Sequence, residues 1–400
     1  MMVVAPLVAF RSAMPLGVFG EYLDKQMSSA DLTAERKRQL KRISAARGGR
    51  DVIVYAADLN KGSALVHMNY SDILPFTDQL ANLGGKALDL VLETPGGSGE
   101  VAEQIVRILR TKYEDIGVII PGWAKSAGTM VALAGDEILM GPASALGPID
   151  AQMTWQGKVF SVEALLEGFE RIKREVEESG VLNKAYIPIL QGISPGELES
   201  ARNMRDFAQT LVTEWLVKYK FRRWVVHSRS REPVSEEERG ARAAEIAAQL
   251  CNHSKWKTHG RSIRIDDLKT MGLQIVDYSV VSELADAIGR YYALLQMTFE
   301  SNVYKLFETP SSQIVRFLVQ QVPPPQRDGR AEIAVIDYKC QKCGKESQIQ
   351  ANLGKKHPLQ AGLVPFPPDD VFRCPNCGTE TNLSSAKRQV EAQARRPVIA

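Results

Sequence analysis

"ETPGGSGEVAEQIVRIL" (Glu93–Leu109) carries the end of an apolar strand into the start of a helix across glycines 96, 97 and 99. Paired glycines at such a junction mark a place where the backbone takes a conformation, or is approached so closely, that a side chain is not tolerated. "IIPGWAKSAGTMVAL" (Ile119–Leu133) repeats the pattern of apolar strand, glycine, small residues and helix. Around these two stretches, "DVIVYAAD" (Asp51–Asp58), "ALDLVLET" (Ala87–Thr94), Ile116–Pro121 and "DEILMGP" (Asp136–Pro142) read as strands. Glu100–Lys112 and a segment from about Ser126 to Ala134 read as helices, as does "YSDILPFTDQLANLGG" with Ser71 as its N-cap. Strands alternating with helices of this length predict an α/β fold with a largely parallel sheet and helices outside it.

The rest of the chain adds modules. Leu32–Arg50 reads as a basic amphipathic helix with a solvated basic face, stopped by Gly48 and Gly49. From Ser161 to Leu250 the signal is mostly helical, an annex to the sheet, with caps at "SPGELES" (Ser194–Ser200) and ahead of Glu236. "SIRIDDLKTMGLQIVDY" (Ser262–Tyr278) reads as a short strand, a helix stopped by Gly272 and a final strand, and Val280–Phe307 as one long helix. "QQVPPPQRDGR" (Gln320–Arg330) is a linker, and no internal repeat is present.

A net charge of +3 over 400 residues is too small to argue for a nucleic-acid or anionic-membrane surface. No stretch reaches the roughly 20 apolar residues of a spanning helix. The N-terminal apolar run has no basic residue ahead of it, which argues against a secretory signal. A cytoplasmic protein is therefore expected.

Two sites stand out. Gly96 and Gly97 place free backbone N–H groups between a strand end and a helix start, where a substrate carbonyl can approach. Ser126, flanked by Ala127 and Gly128, sits at another helix start and is aimed outward from the carboxyl end of the sheet, where ligands of parallel sheets bind. It is therefore a candidate nucleophile, although a serine here also reads simply as an N-cap. No lysine follows the glycines as a phosphate-binding loop requires. The second site is "YKCQKCGKE" with "FRCPNCGTE": Cys340, Cys343, Cys374 and Cys377 form two C-x-x-C-G knuckles that can close one tetrahedral shell around zinc. Four thiolates leave no open position, so that zinc is expected to be structural. The segment between the knuckles has the composition to hold a peptide, so the ribbon is a candidate surface for a protein partner. Cys251 stands alone and reads as a buried helix residue.

"DLVLETPGG", "GWAKSAGTMVALAGDEILMGPASALGPID" and the late "DDLKTMGLQIVD" together resemble the Clp protease/crotonase superfamily, and more closely the serine dehydrogenase proteinase family. The similarity runs from about Arg36 to Leu284, omitting much of the annex. It implies a Clp protease/crotonase-like core over 51–307 with the annex at 161–250. That core would lie between an N-terminal segment at 1–50 and a helix with a Pro-rich linker at 308–330, followed by a zinc ribbon at 331–385 and a flexible tail at 386–400. It implies a serine endopeptidase acting on a peptide or protein through an acyl-enzyme, and a homo-oligomer. By the same resemblance Ser126 is the nucleophile, Gly97 with Gly96 and Ala127 form the oxyanion hole, and the triad runs in the order Ser126, Asp150, His259. Asp150 would orient the imidazole of His259; His253 lies six positions from it. A Ser-Lys dyad through Lys173 or Lys184 is the alternative base. An acyl-CoA-handling crotonase-like enzyme and an inactive adaptor working through the ribbon are the alternative functions.

Overall fold

The computed structural model describes residues 17–155, 158–227, 230–318 and 332–399. The Pro-rich stretch at 320–330 and the apolar N-terminal run lie outside these. The chain forms two compact units, divided between Leu318 and Val319.

Among the described residues, the first unit is built on a seven-stranded sheet. Its strands are β1 (Asp51–Ala57), β2 (Ala87–Glu93), β3 (Asp115–Ile120), β5 (Glu137–Met140), β9 (Val276–Asp277), β10 (Val303–Glu308) and β11 (Gln313–Phe317). The order is β11-β10-β1-β2-β3-β5-β9. From β1 to β9 every pairing is parallel, and β10 and β11 add an antiparallel edge. Short pairs β4 (Trp123–Ala124) with β6 (Ala145–Leu146) and β7 (Gln152–Trp155) with β8 (Lys158–Ser161) complete the unit.

The strands are apolar on both faces because both are covered. Ile53 and Tyr55 of β1 and Leu90 and Leu92 of β2 face one core with α3 (Ile73–Ala81), α4 (Gly99–Lys112) and α5 (Ala127–Leu133). The long annex helices α8 (Pro195–Trp215) and α9 (Glu236–Cys251) pack into the same core. Val52, Val54 and Val91 face the opposite core with α2 (Ser29–Ala46) and α12 (Ser282–Phe299). The period-2 alternation thus separates two layers of helix on one sheet.

Some sequence expectations are corrected. The helix expected over Val280–Phe307 ends at Phe299, and Val303–Glu308 is a fully buried strand. Residues 313–317, expected within a helix-and-linker region, form the sheet edge. Val303, Tyr304 and Phe307, one β-branched and two aromatic residues, suit a pleated surface better than a continued helix. Asn69, rather than Ser71, caps the turn before α3, accepting from the Ser71 amide. The expected strand at Ser262 is only an isolated bridge between Leu146 and Ile263.

The basic run is not a solvated face throughout. Arg36 is buried and bonds Glu308 (3.1 Å), Thr298 (2.6 Å) and Gln313 (2.9 Å), tying α2 to the sheet edge. Arg47 and Arg50 clasp the two oxygens of buried Asp89, each at 2.8 Å.

The second unit pairs β12 (Ile333–Lys339) with β13 (Glu346–Leu353) around a small core of Ile349, Ala351, Phe366, Phe372 and Val398. Its end is not a free tail. Helix Ser384–Ala394 leads to a strand at Val398–Ile399 that pairs with β13.

Arg36→Met should lower stability by about 3 kcal/mol, because a buried carboxylate loses its cation. Urea unfolding of the full chain measures this, and a loss below about 1 kcal/mol would show that the Arg36–Glu308 pair does not hold the edge.

Candidate active site

The carboxyl ends of β2 and β3 bring the two glycine-containing turns side by side. Thr94 N–H donates to Trp123 O (2.9 Å) and Lys125 N–H to Thr94 O (3.0 Å), so the turns are bonded to each other. Gly96 has φ 96° and Gly97 φ 146°, conformations that only glycine holds without strain. A Cβ on Gly96 would lie 2.6 Å from both Lys125 O and Ser126 Cβ, and one on Gly97 would collide with the Met68 backbone. The glycines therefore answer to two neighbours, the serine turn on one side and segment 67–68 on the other.

Ser126 itself has φ 51° and ψ −119°, a conformation costing a non-glycine residue about 1–3 kcal/mol. Its hydroxyl forms no cap bond to α5, so the N-cap reading fails on geometry. The strain is held in place because Gly128 packs directly on Thr94. The Thr129 hydroxyl contributes too, lying 2.8 Å from Ala124 O and 2.9 Å from Gly147 O. Among the described residues the amides of Gly97 and Ala127 have no hydrogen-bond partner, whereas Gly96 N–H is committed to Thr94 Oγ1 (3.1 Å). Gly96 thus contributes the turn, and Gly97 and Ala127 contribute the free donors.

Asp150 is buried beside the end of α9, with its chain pinned by Ile149 N–H donating to Leu250 O (3.0 Å). Its Oδ1 lies 2.7 Å from His259 Nδ1 and its Oδ2 2.9 Å from His253 Nδ1. Gln152 Nε2 donates to Oδ2 as well, at 2.9 Å. Burial alone raises a carboxyl pKa, but the bonds to the two imidazoles outweigh it and hold Asp150 below its usual value, ionised at neutral pH. The sequence singled out His259, but no local signal showed that His253, six residues earlier, folds back onto the other oxygen.

The His259 loop is brought to the serine turn by Lys125. Its Nζ lies 3.1 Å from Arg261 O, 3.0 Å from Ser262 Oγ and 3.3 Å from Leu146 O. Burial, then the charge of Arg264, lowers Lys125 to about 8. Those three acceptors occupy its ammonium, which forms no hydrogen bond to the Ser126 hydroxyl. Lys173 is 57% exposed and pairs loosely with Glu170 and Glu177, and Lys184 is exposed; neither lines the cleft at Ser126. Ser126 and His259 share no hydrogen bond in this arrangement, which is common in serine sites without substrate.

His67, read from sequence as structural, stands near the glycine turn. Its pKa is lowered, first by desolvation and then by the charge of Lys305, with a bond to the Gly96 backbone opposing and His259 contributing.

Gly97, Ser126, Ala127 and Gln152 open into a cleft of about 740 Å³, walled by Met204 and Phe207 of α8. The annex thus supplies one side of the site. Beneath it, Glu93 at the end of β2 is buried and accepts Gly122 N–H (3.1 Å) and Trp123 N–H (2.8 Å), holding the approach to the serine turn.

In the second unit the four knuckle sulfurs lie within 4.8 Å of one another. Cys340 and Cys377 are 3.6 Å apart, and Cys343 and Cys374 3.7 Å. A tetrahedron with sulfur about 2.3 Å from a central ion has edges of about 3.8 Å, whereas a disulfide needs about 2.05 Å. The cysteines are therefore placed for a metal. In each knuckle the glycine, at φ 72° or 68°, donates its N–H back to the first cysteine's carbonyl at 2.9 Å. Cys251 is buried in α9, as expected, and burial pushes its thiol up to about 12.

With this geometry, residues 79–180 match the family of ClpP-like SDH-type serine proteinases, a span that contains Gly97, Ser126 and Asp150. The resemblance read from the sequence is thus borne out, and a parallel-rich α/β sheet is its setting. Two uncharacterized proteins of Methanocaldococcus jannaschii are similar. One is 43% identical over 206 residues, 52% of this chain and 59% of its own length; the other is 29% identical over 188 residues, 47% and 51%. The chain thus spans little more than half the length of these relatives. Among solved structures, a mutant of the 1510-N membrane-bound stomatin-specific protease is 22% identical with TM-score 0.22, covering 28% of this chain and 60% of its own. A monofunctional enoyl CoA isomerase from M. smegmatis is 14% identical with TM-score 0.20, covering 50% and 88%. Among the described residues no helix is long and apolar enough to cross a membrane.

Burial raises the Glu93 carboxyl to about 8, the amide bonds only partly offsetting it. The unfolded chain releases this proton near pH 4.3. Between these values the folded state holds a proton that the unfolded state lacks, so stability falls as pH rises to about 8 and then levels. Glu93→Gln, which keeps the acceptor and cannot ionise, should remove that part of the slope. Equal changes in Tm from pH 5 to pH 8.5 in both proteins would contradict this account.

Proposed function

We propose that the chain is a serine endopeptidase with Ser126 as nucleophile, His259 as general base and Asp150 as its support. The observation that carries this reading is the 2.7 Å contact from Asp150 to His259 Nδ1, taken with a serine whose strained turn leaves its hydroxyl uncapped. An ionised Asp150 accepts Nδ1–H and so presents Nε2 as the basic nitrogen. On substrate binding Nε2 takes the Ser126 proton while Oγ attacks the scissile carbonyl. The new oxyanion is held by Gly97 and Ala127 N–H. His259 then gives the proton to the leaving amine, and the C–N bond breaks to leave an acyl-serine. Water, deprotonated by the same imidazole, attacks the ester, and the acid product departs as Ser126 recovers its proton. His253, bonded to the other oxygen of Asp150, helps to fix the carboxylate against which His259 is held. Peptide or protein is the substrate, and a homo-oligomer enclosing the site follows from the family resemblance.

A fluorophosphonate probe should label intact protein, and Ser126→Ala should abolish the labelling. His259→Ala should slow it by about 10³-fold or more, as loss of a triad base does, and His253→Ala by much less. Labelling of the Ser126→Ala protein at the wild-type rate would remove the nucleophile assignment. Equal losses in the two histidine variants would remove the choice of base.

The second unit is read as a zinc ribbon, its four thiolates closing a structural site around one Zn²⁺. Bound there, the ion would hold the two knuckles together and take no part in hydrolysis. Elemental analysis should find one zinc per chain, lost in Cys340→Ser/Cys374→Ser while fluorophosphonate labelling persists. Metal-free wild-type protein with an intact second unit would refute the zinc reading.

A further inference from the structure

The peptidase mechanism makes no use of the buried ion pair Lys305–Asp72. Both side chains are fully buried, with Lys305 Nζ 2.9 and 2.8 Å from the two Asp72 oxygens. Tyr55 OH (2.8 Å) and Asn69 N–H (3.0 Å) also donate to Asp72 Oδ2, so the carboxylate is held by three residues. The third Lys305 contact is to a backbone group: Nζ donates to His67 O at 2.9 Å. Asn69 Nδ2 donates to the same carbonyl, also at 2.9 Å.

That carbonyl belongs to the peptide whose N–H is Met68's, and Met68 N–H donates to Gly96 O at 2.7 Å. Gly96 O in turn belongs to the peptide whose N–H is Gly97's. In a planar trans peptide, C=O and N–H point in opposite directions. Gripping Gly96 O from behind therefore fixes the direction in which Gly97 N–H points. A return bond, Ser98 N–H to Met68 O at 3.1 Å, closes the clamp, and a Cβ on Gly97 would break it.

We infer that Lys305, with Asp72 as its anchor, is a positioning residue for the oxyanion donor, acting on Gly97 N–H through the His67–Met68 and Gly96–Gly97 peptides. This rests on the reading of Gly97 N–H as an oxyanion donor. The ion pair is neutral overall, so its long-range field is small and its effect is chiefly geometric. Hydrogen bonding in series adds polarisation in the same direction, because each occupied carbonyl strengthens its own peptide's N–H. A bond made only to developing negative charge raises turnover rather than substrate affinity. Loss of the clamp should therefore appear in kcat and leave KM in place.

The test uses the full chain, with fluorescein-labelled casein for turnover and a fluorophosphonate for the rate of Ser126 modification. Lys305→Met/Asp72→Asn removes the clamp without stranding a buried charge. Its kcat and labelling rate should fall about 10- to 100-fold, less than the roughly 10²–10³-fold of deleting a donor outright. KM and the pH profile of the remaining activity should be unchanged. Should the double variant fail to fold, Asn69→Ser decides the matter. It keeps an oxygen able to cap Ser71 N–H, loses the donor to His67 O, and should lower kcat about threefold at constant KM. A folded double variant with wild-type kcat overturns the proposal, as does Asn69→Ser at wild-type kcat, or losses that only follow the folded fraction seen by circular dichroism. Wild-type protein that the fluorophosphonate does not label fails differently, since it removes the peptidase reading and this proposal with it.

Discussion

The structure depends on the absence of two Cβ atoms. Gly96 lies against Lys125 O and Ser126 Cβ, and Gly97 against the Met68 backbone, at separations no side chain could occupy. That contact lets the turn after β2 lie against the turn after β3, and it sets a free amide beside a serine. Parallel strands make this arrangement natural, because each ends at the same edge of the sheet and each leads into a helix. The two-sided core then makes it stiff. Nearly every residue of β1, β2 and β3 is buried, so the turns at their ends inherit the rigidity of the sheet.

Strain is held in this frame rather than avoided. Ser126 keeps a positive φ because Thr129 and the Gly128–Thr94 contact hold the chain on either side of it. Buried Asp150 keeps its charge because two imidazoles and Gln152 bond its oxygens. The chain of contacts runs outward from the His259 imidazole to the Asp150 carboxylate and on to the end of α9. It explains why a helical annex that contributes no reacting group still matters: α9 seats the carboxylate and α8 walls the cleft.

Much of the fold was legible in the residues because local patterns report local structure. The β-strands at Asp51, Ala87 and Asp115 declared themselves through continuous apolar runs, and the annex through caps and helical periodicity. The strand at Val303 is not legible locally because a short, largely apolar strand that follows closely on a helix looks like more helix, and its two charged residues find their partners far away in the chain. Arg36 was read as solvated for a similar reason: its partner Glu308 lies 272 residues away, and no local feature of the basic run records it. The same holds for the final strand, whose partner β13 lies some forty-five residues upstream.

By itself, the sequence determined which residue types were available: a paired glycine turn, a serine at a helix start, an aspartate and a histidine, and two cysteine knuckles whose two-residue gap suits one ion. These are matters of residue type and short spacing, which the chain carries wherever it folds. Only the tertiary structure decided that His253 shares Asp150 with His259, that Gly96 N–H is already spent on Thr94, and that Lys125 bonds the loop at Arg261. It alone placed Lys305 behind Met68. Each of these depends on a contact between segments far apart along the chain, and direction in space is a property of packing rather than of order.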